Sequence, residues 1–176
     1  MLLLTKPLGI GVLTTAAKAE LASPEAMALA HRLMTTLNKA ARDCMVRYAV
    51  HACTDVTGFG LLGHAFEMAQ GSDTHLTLFP GEIDLIPEAL EFARDGILPA
   101  GMYRNRHYAE AAVDPGSTEL AVQDMLYDPQ TSGGLLIAAA PEDADALLRE
   151  LRGAVPSAQR IGVVEAYQGG PRISLR

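Results

Sequence analysis

Apolar positions along this chain change period several times, and the changes mark out its elements. Leu2-Leu3-Leu4-Thr5 is a short apolar run that reads as a buried strand, closed off by Pro7 and Gly9 before a helix over 10–21. Ser23-Pro24-Glu25 is a helix start: a side-chain cap, a proline where a missing N–H costs nothing, and an acid near the positive end of the dipole. Met27, Ala30, Met34, Leu37, Ala41 and Cys44 follow at three- and four-residue intervals, which predicts one long helix ending before Val50. A strand is expected over 49–56, then a glycine-punctuated turn and a helix through Met68 that stops at Gly71.

The second half alternates in the same way. Residues 74–79 are rich in strand formers, and 87–93 have helical spacing with Gly96 as the stop. Residues 97–116 carry Pro99, Gly101, Pro115 and Gly116 with weak periodicity and read as a long, partly ordered connection. A helix is expected over 117–126, and the apolar run Leu135 to Ala140 reads as a central strand. Pro141-Glu142-Asp143 opens a helix to about Arg152. The strands 160–166 and 172–175 are expected to form a hairpin through Gly169-Gly170. Strands and helices in this mixed order predict an α+β fold, a mixed sheet with helices packed on it, as one domain over residues 1–176.

Composition narrows the function classes. The chain is 49% hydrophobic with no Trp, and 14 Lys and Arg against 21 Asp and Glu give a net charge of −7. Nucleic acid and anionic membrane surfaces would repel it, and no apolar run reaches the length of a membrane span. Cys44 and Cys53 show no CxxC pattern, and the five histidines show neither HxH nor HExxH spacing. A disulfide framework or structural zinc site therefore has no support, and the chain reads as soluble and cytoplasmic.

Three segments carry candidate chemistry. Asp55-Val56-Thr57-Gly58-Phe59-Gly60 sets a carboxylate at the end of a strand, directly before a glycine turn that opens a helix. Asp55 there can hold a divalent cation, while Thr57, Gly58 and Gly60 offer donors to a phosphate; the plain alternative is a turn-stabilising aspartate. Lys6-Pro7-Leu8-Gly9-Ile10-Gly11 is the second: Lys6 either neutralises a phosphate beside glycine amides or is a solvated lysine at a proline turn. Asp128-Pro129-Gln130-Thr131-Ser132-Gly133-Gly134 reads first as a tight loop feeding the next strand, with an anion-binding concavity at Thr131-Ser132-Gly133-Gly134 as the alternative. His64 reads as a packed or capping side chain, and Asn38, Arg104 and Asn105 as local hydrogen-bonders.

Together, Leu4 to Gly11, Leu37-Asn38, Asp55 to His64 and Asp128 to Leu136 resemble, in this order and spacing, the C-terminal part of selenophosphate synthetase (selenide, water dikinase). The resemblance covers essentially the whole chain. It implies the C-terminal-domain fold of the aminoimidazole ribonucleotide synthetase superfamily. It also implies a reaction in which ATP, selenide and water give selenophosphate, AMP and orthophosphate. Further implications are an N-terminal ATP-binding domain that dimerises and an active site between the domains, with Mg2+ joining ATP phosphates to aspartates. Asp55 matches the metal-binding aspartate contributed from this half. The glycine-rich segment with its cysteine or selenocysteine nucleophile and lysine is not in this chain, and Cys44 and Cys53 match no such motif. No catalytic residue is therefore assigned here, and the chain alone is expected to be inactive. Where relatives tend to carry Gly-Gly-Thr, this chain has Ala100-Gly101-Met102 before Asn105. The competing readings are a binding or assembly module with a purely structural Asp55, or another ATP-using member of the superfamily.

Overall fold

The computed structural model describes all residues 1–176. Seven strands form one mixed sheet: β1 (Leu2–Leu4), β2 (Val50–Asp55), β3 (Thr74–Leu78), β4 (Val113–Asp114), β5 (Leu135–Ala139), β6 (Gln159–Ala166) and β7 (Ile173–Leu175). Eight α-helices accompany it: α1 (Ile10–Lys18), α2 (Pro24–Thr35), α3 (Lys39–Met45), α4 (Gly60–Gly71), α5 (Pro87–Arg94), α6 (Ala100–Ala109), α7 (Leu120–Tyr127) and α8 (Pro141–Ala154). The strand order is β2-β5-β1-β6-β3-β7-β4, so β2 forms one edge. The expected α+β class is what the chain adopts.

Both faces of β1 and β5 are covered, which is why those runs are continuously apolar rather than alternating. Leu2, Leu4, Leu136 and Ala138 join Leu61, Leu62, Met102 and Leu126 in the core under α4, α6 and α7. Leu3, Ile137 and Ala139 face the opposite way, onto Ala41 and Cys44 of α3 and Leu147 and Leu151 of α8. A third cluster joins α1, α2, α5 and α7 through Leu13, Ala30, Ala89 and Met125. Strand β2 carries a bulge: Val50 lies opposite Ala139, yet Ala52 lies opposite Ala138, so His51 is the extra residue. From there Cys53 pairs with Ile137 and Asp55 with Leu135, on the α3 and α8 side of the sheet.

Three expectations need correction. The single long helix from Pro24 is two, broken at 36–38. The Thr35 and Thr36 hydroxyls donate back to the carbonyls of His31 and Arg32, and the Lys6 ammonium takes the carbonyls of Leu33 and Thr36. Asn38 then donates to Gly133 O across the fold, leaving Leu37 76% exposed and outside the apolar stripe. The connection over 97–116 contains the ten-residue helix α6. Its inward face is Met102, Asn105 and Ala109, so an amide at a core-facing position conceals the period. Finally, β6 and β7 are not a hairpin. Strand β3 lies between them, antiparallel to β6 and parallel to β7. The Gly169-Gly170 turn instead carries the chain across the end of β3, where the Arg172 guanidinium lies 3.4 Å from the centre of the Tyr167 ring.

Candidate phosphate- and metal-facing site

Asp55 is the last residue of the edge strand β2, and its side chain is exposed with no hydrogen-bond or ion-pair partner. The strand ends there because Val56 turns into the core while its N–H still pairs with Gly134 O at 2.8 Å. Thr57 O then accepts from Gly60 N and Gln130 N, which fixes the turn into α4. Gly60 sits at φ 70°, and a Cβ there would lie 2.7 Å from the Tyr127 carbonyl, so this position excludes other residues on two counts. The N–H groups of Thr57, Gly58 and Phe59 donate to no group of the chain. They are unpaired donors at the positive end of a twelve-residue helix, directly after a free carboxylate.

The turn is held from behind by Asn105, whose amide donates to Gly58 O at 2.8 Å and Tyr127 O at 2.9 Å. This buried side chain explains why α6 presents an amide to the interior. Gly58 and Phe59 open onto a groove of about 640 Å³ that is also lined by Gly101, Arg104 and Tyr108. Phe59 and Tyr108 stack with ring centres 5.6 Å apart. Arg104 is thus a groove-facing cation rather than a local hydrogen-bonder, a role that becomes visible only once α6 is placed.

The Lys6–Gly11 segment is arranged differently. Lys6 is 4% exposed, and its ammonium donates at 2.8, 2.7 and 2.7 Å to the carbonyls of Leu33, Thr36 and Ser132. All three donors are spent inside the chain, so Lys6 ties β1 to the end of α2 and to the loop before β5. Burial pushes the ammonium below the usual lysine range, and the carbonyls hold it in place. The amides at the start of α1 are filled as well. Gln130 Oε1 accepts from Gly9 and Ile10, and Asp128 Oδ2 accepts from Gly11 at 2.9 Å. The Gln130 side-chain amide returns a bond to Asp128 Oδ2 at 2.8 Å. Burial raises the Asp128 carboxyl to about 7, against the opposing pull of the Gln130 and Gly11 N–H groups. Asp128 and Gln130 are therefore structural, the role read first for this loop from the sequence. Gly134 is required because a Cβ would lie 2.5 Å from Lys6 N.

The remaining candidates resolve readily. Burial, and next the charge of Asp55, push the Cys53 thiol up to about 11, so it is a poor nucleophile. Both cysteines are free. No group of three or more His, Cys, Asp or Glu side chains converges anywhere, so Asp55 is a lone carboxylate rather than part of a complete cation cage. No helix is long and apolar enough to cross a membrane.

Residues 1–172 match the family model of the AIR synthase related protein, C-terminal domain. The chain belongs to this family. Within it, the chain is 45% identical over 151 residues to a selenide, water dikinase of Treponema denticola, covering 86% of this chain and 43% of that protein. The selenide, water dikinases of Caldanaerobacter subterraneus and Desulfitobacterium hafniense are 48% and 42% identical, covering 86% and 97% of this chain and 44% and 50% of theirs. The chain thus spans about half the length, or less, of the curated relatives it matches. Among solved structures, the hydrogenase maturation protein HypE superposes with a TM-score of 0.67 at 16% identity, covering 99% of this chain and 48% of that one. Thiamine monophosphate kinase from Aquifex aeolicus gives 0.59 at 16% identity, covering 99% and 48%. At these identities the two structures establish the shared AIR synthase C-terminal fold.

Proposed function

We propose that this chain is the C-terminal half of a selenide, water dikinase, working in a protein that makes selenophosphate from selenide, ATP and water and releases AMP and phosphate. The observation that carries this reading is the unpaired, exposed Asp55 directly before a helix end whose amides are free. Phosphoryl transfer asks a protein chiefly to position its reactants and neutralise charge, and this end of the sheet offers both. The relatives named above give the reaction its substrate.

The donor set fits magnesium in a limited way. Magnesium is commonly held by one or two carboxylates together with substrate phosphates, so a single aspartate is a sufficient share from one half of a two-part site. Bound there, the ion would offset charge on phosphate oxygens. Asp55 would hold the ion, the Gly58 and Phe59 amides would face phosphate oxygens, and Gly60 would let α4 begin close behind them. Arg104, at the rim of the groove, would draw the anionic nucleotide toward those amides. Lys6 has no share in this reading, since its donors are occupied. Selenide, an N-terminal ATP-binding half, a homodimer and a cytoplasmic setting complete the proposal.

The test is Asp55→Asn in the full-length protein, read as selenide-dependent AMP formation against magnesium concentration. The expected outcome is a loss on the order of a hundredfold, about 2.7 kcal/mol of transition-state stabilisation, with thermal stability unchanged. Normal activity with normal metal dependence would return Asp55 to the role of a turn residue. The chain alone is expected to form no AMP from ATP and selenide, because it carries no nucleophile suited to selenium activation.

A further inference from the structure

Strand β6 is paired on both sides for only part of its length. Against β3 it runs in register from Gly162 to Ala166, whereas β1 covers only Gln159 to Gly162. Ile161 O accepts from Phe79 N at 2.8 Å, so Ile161, Val163 and Glu165 turn their N–H and C=O groups toward β3. Val164 and Ala166 turn theirs the other way, into the line of β1, where no strand of the chain lies. Each therefore keeps a free donor and a free acceptor, and Val164 does so while half-buried.

The space beside them is walled. A pocket of about 370 Å³ is lined by Met1, Ala139 and Pro141 from the β1 and β5 side and by Val164 and Thr74 from the β6 and β3 side. Met1 already stands in strand register at this pocket. Its nitrogen donates to Ala139 O at 2.9 Å, and its carbonyl accepts from Ala139 N at 2.9 Å. Continuing the β1–β6 register backward puts the three residues before Met1 opposite Val164, Glu165 and Ala166. On the β5 side such residues meet no competing ladder, because Ala140 N is taken by Ala49 O and Pro141 has no N–H to give.

We propose that the polypeptide leading into Met1 in the full-length protein is a strand rather than a loose tether, extending β1 and pairing antiparallel with Val164 and Ala166. The proposal rests on the reading above, in which a further half precedes these residues. The curated relatives run to roughly twice this length, so polypeptide to fill the space is available in a protein of their kind. A segment joined to Met1 is also held at the pocket at an effective concentration that a separate partner does not match. A ladder at the joint fixes how the two halves face each other. A phosphoryl-transfer site shared between halves needs that, since a misplacement of about 1 Å can cost on the order of a hundredfold in rate.

Amide hydrogen exchange, resolved residue by residue, tests the joint in the chain alone and in the full-length protein. Val163 and Glu165, which bond to β3, should be protected in both and serve as the internal reference. Val164 and Ala166 should exchange freely in the chain alone and slow by on the order of a hundredfold or more in the full-length protein. Fast exchange at both in the full-length protein would overturn the proposal. Protection at both in the chain alone would overturn it as well, and a rise with concentration would make a second copy the occupant. Val164→Pro gives another measure, since it removes one outward N–H and leaves the β3 ladder whole. It should lower the melting temperature of the full-length protein more than that of the chain alone; equal shifts would overturn the pairing at Val164. The exchange pattern is read without turnover. A full-length protein that makes no selenophosphate yet protects both amides loses the functional reading and keeps the joint; one that makes it with both amides unprotected loses only the joint.

Discussion

Two helices of this chain begin in glycine-rich turns, α1 at Pro7-Leu8-Gly9-Ile10-Gly11 and α4 at Val56-Thr57-Gly58-Phe59-Gly60, and they end up with opposite fates. The first is closed by its own chain. Gln130 and Asp128 supply the oxygens for its amides, and the Asp128 carboxylate is fully buried there. The second has no such insertion: Gly58 and Phe59 face a groove, and Asp55, the carboxylate just before them in the chain, is exposed. Both ends carry the same partial positive charge. What separates a structural helix start from a binding one is whether another part of the chain has already supplied the anion.

One pair of substitutions sharpens the contrast most. Gly11→Ala would drive a methyl group into Asp128 Oδ1 and the Pro129 carbonyl, whereas a Cβ at Gly58 meets nothing within 4 Å. Gly11→Ala should therefore cost about 3 kcal/mol in urea unfolding, by overpacking and by expelling the buried carboxylate. A change below about 1 kcal/mol would mean the α1 end is looser than its hydrogen bonds imply.

A second, smaller effect is read from pH. The folded Asp128 carboxyl, held up near 7 by burial, keeps a proton that the unfolded chain releases near 4. Between those values the native state binds the extra proton, so stability should fall as pH rises from about 4 to 7 and level off above. Asp128→Asn should flatten that slope. An unchanged slope would assign it to other groups. The smallest effect on folding belongs to Gly58→Ala, expected to shift stability by no more than about 1 kcal/mol and in the favourable direction, while raising the KM for ATP in the full-length protein. Unchanged KM would remove the Gly58 amide from the proposed phosphate contacts.

Much of this fold is legible locally. Ser23-Pro24-Glu25 starts α2 as its residue types require, with the Ser23 hydroxyl accepting from Ala26 N. The apolar run at Leu135 is a strand covered on both faces, and Asp55 ends β2 in the open. The errors share one cause, dependence on distant partners. The break after Thr35 needs Lys6 and Gly133, and the β6–β7 separation needs β3 to insert between neighbours in sequence. The filled state of α1 is set by Asp128, 117 residues from Gly11. Nothing within a local window distinguishes Lys6 as a buried tie from Lys6 as a phosphate partner. His64 is legible as a histidine one turn into a helix, but its contacts with Thr57 and Glu67 depend on the turn geometry that aligns the three.

The bulge at His51 has a reach well beyond its own residue. Side chains along a strand alternate sides, so one surplus residue decides the parity of everything after it. Paired residue for residue from Val50 with no bulge, the same sequence would set Asp55 opposite Gly134 instead of Leu135 and swing its carboxyl to the opposite surface, toward the greasy layer beneath α4, with Val56 thrown outward in exchange. The surplus residue is thus what lets Val50 and Asp55 lie on one side of the sheet, and a chain shortened by His51 alone would keep Asp55 opposite Leu135.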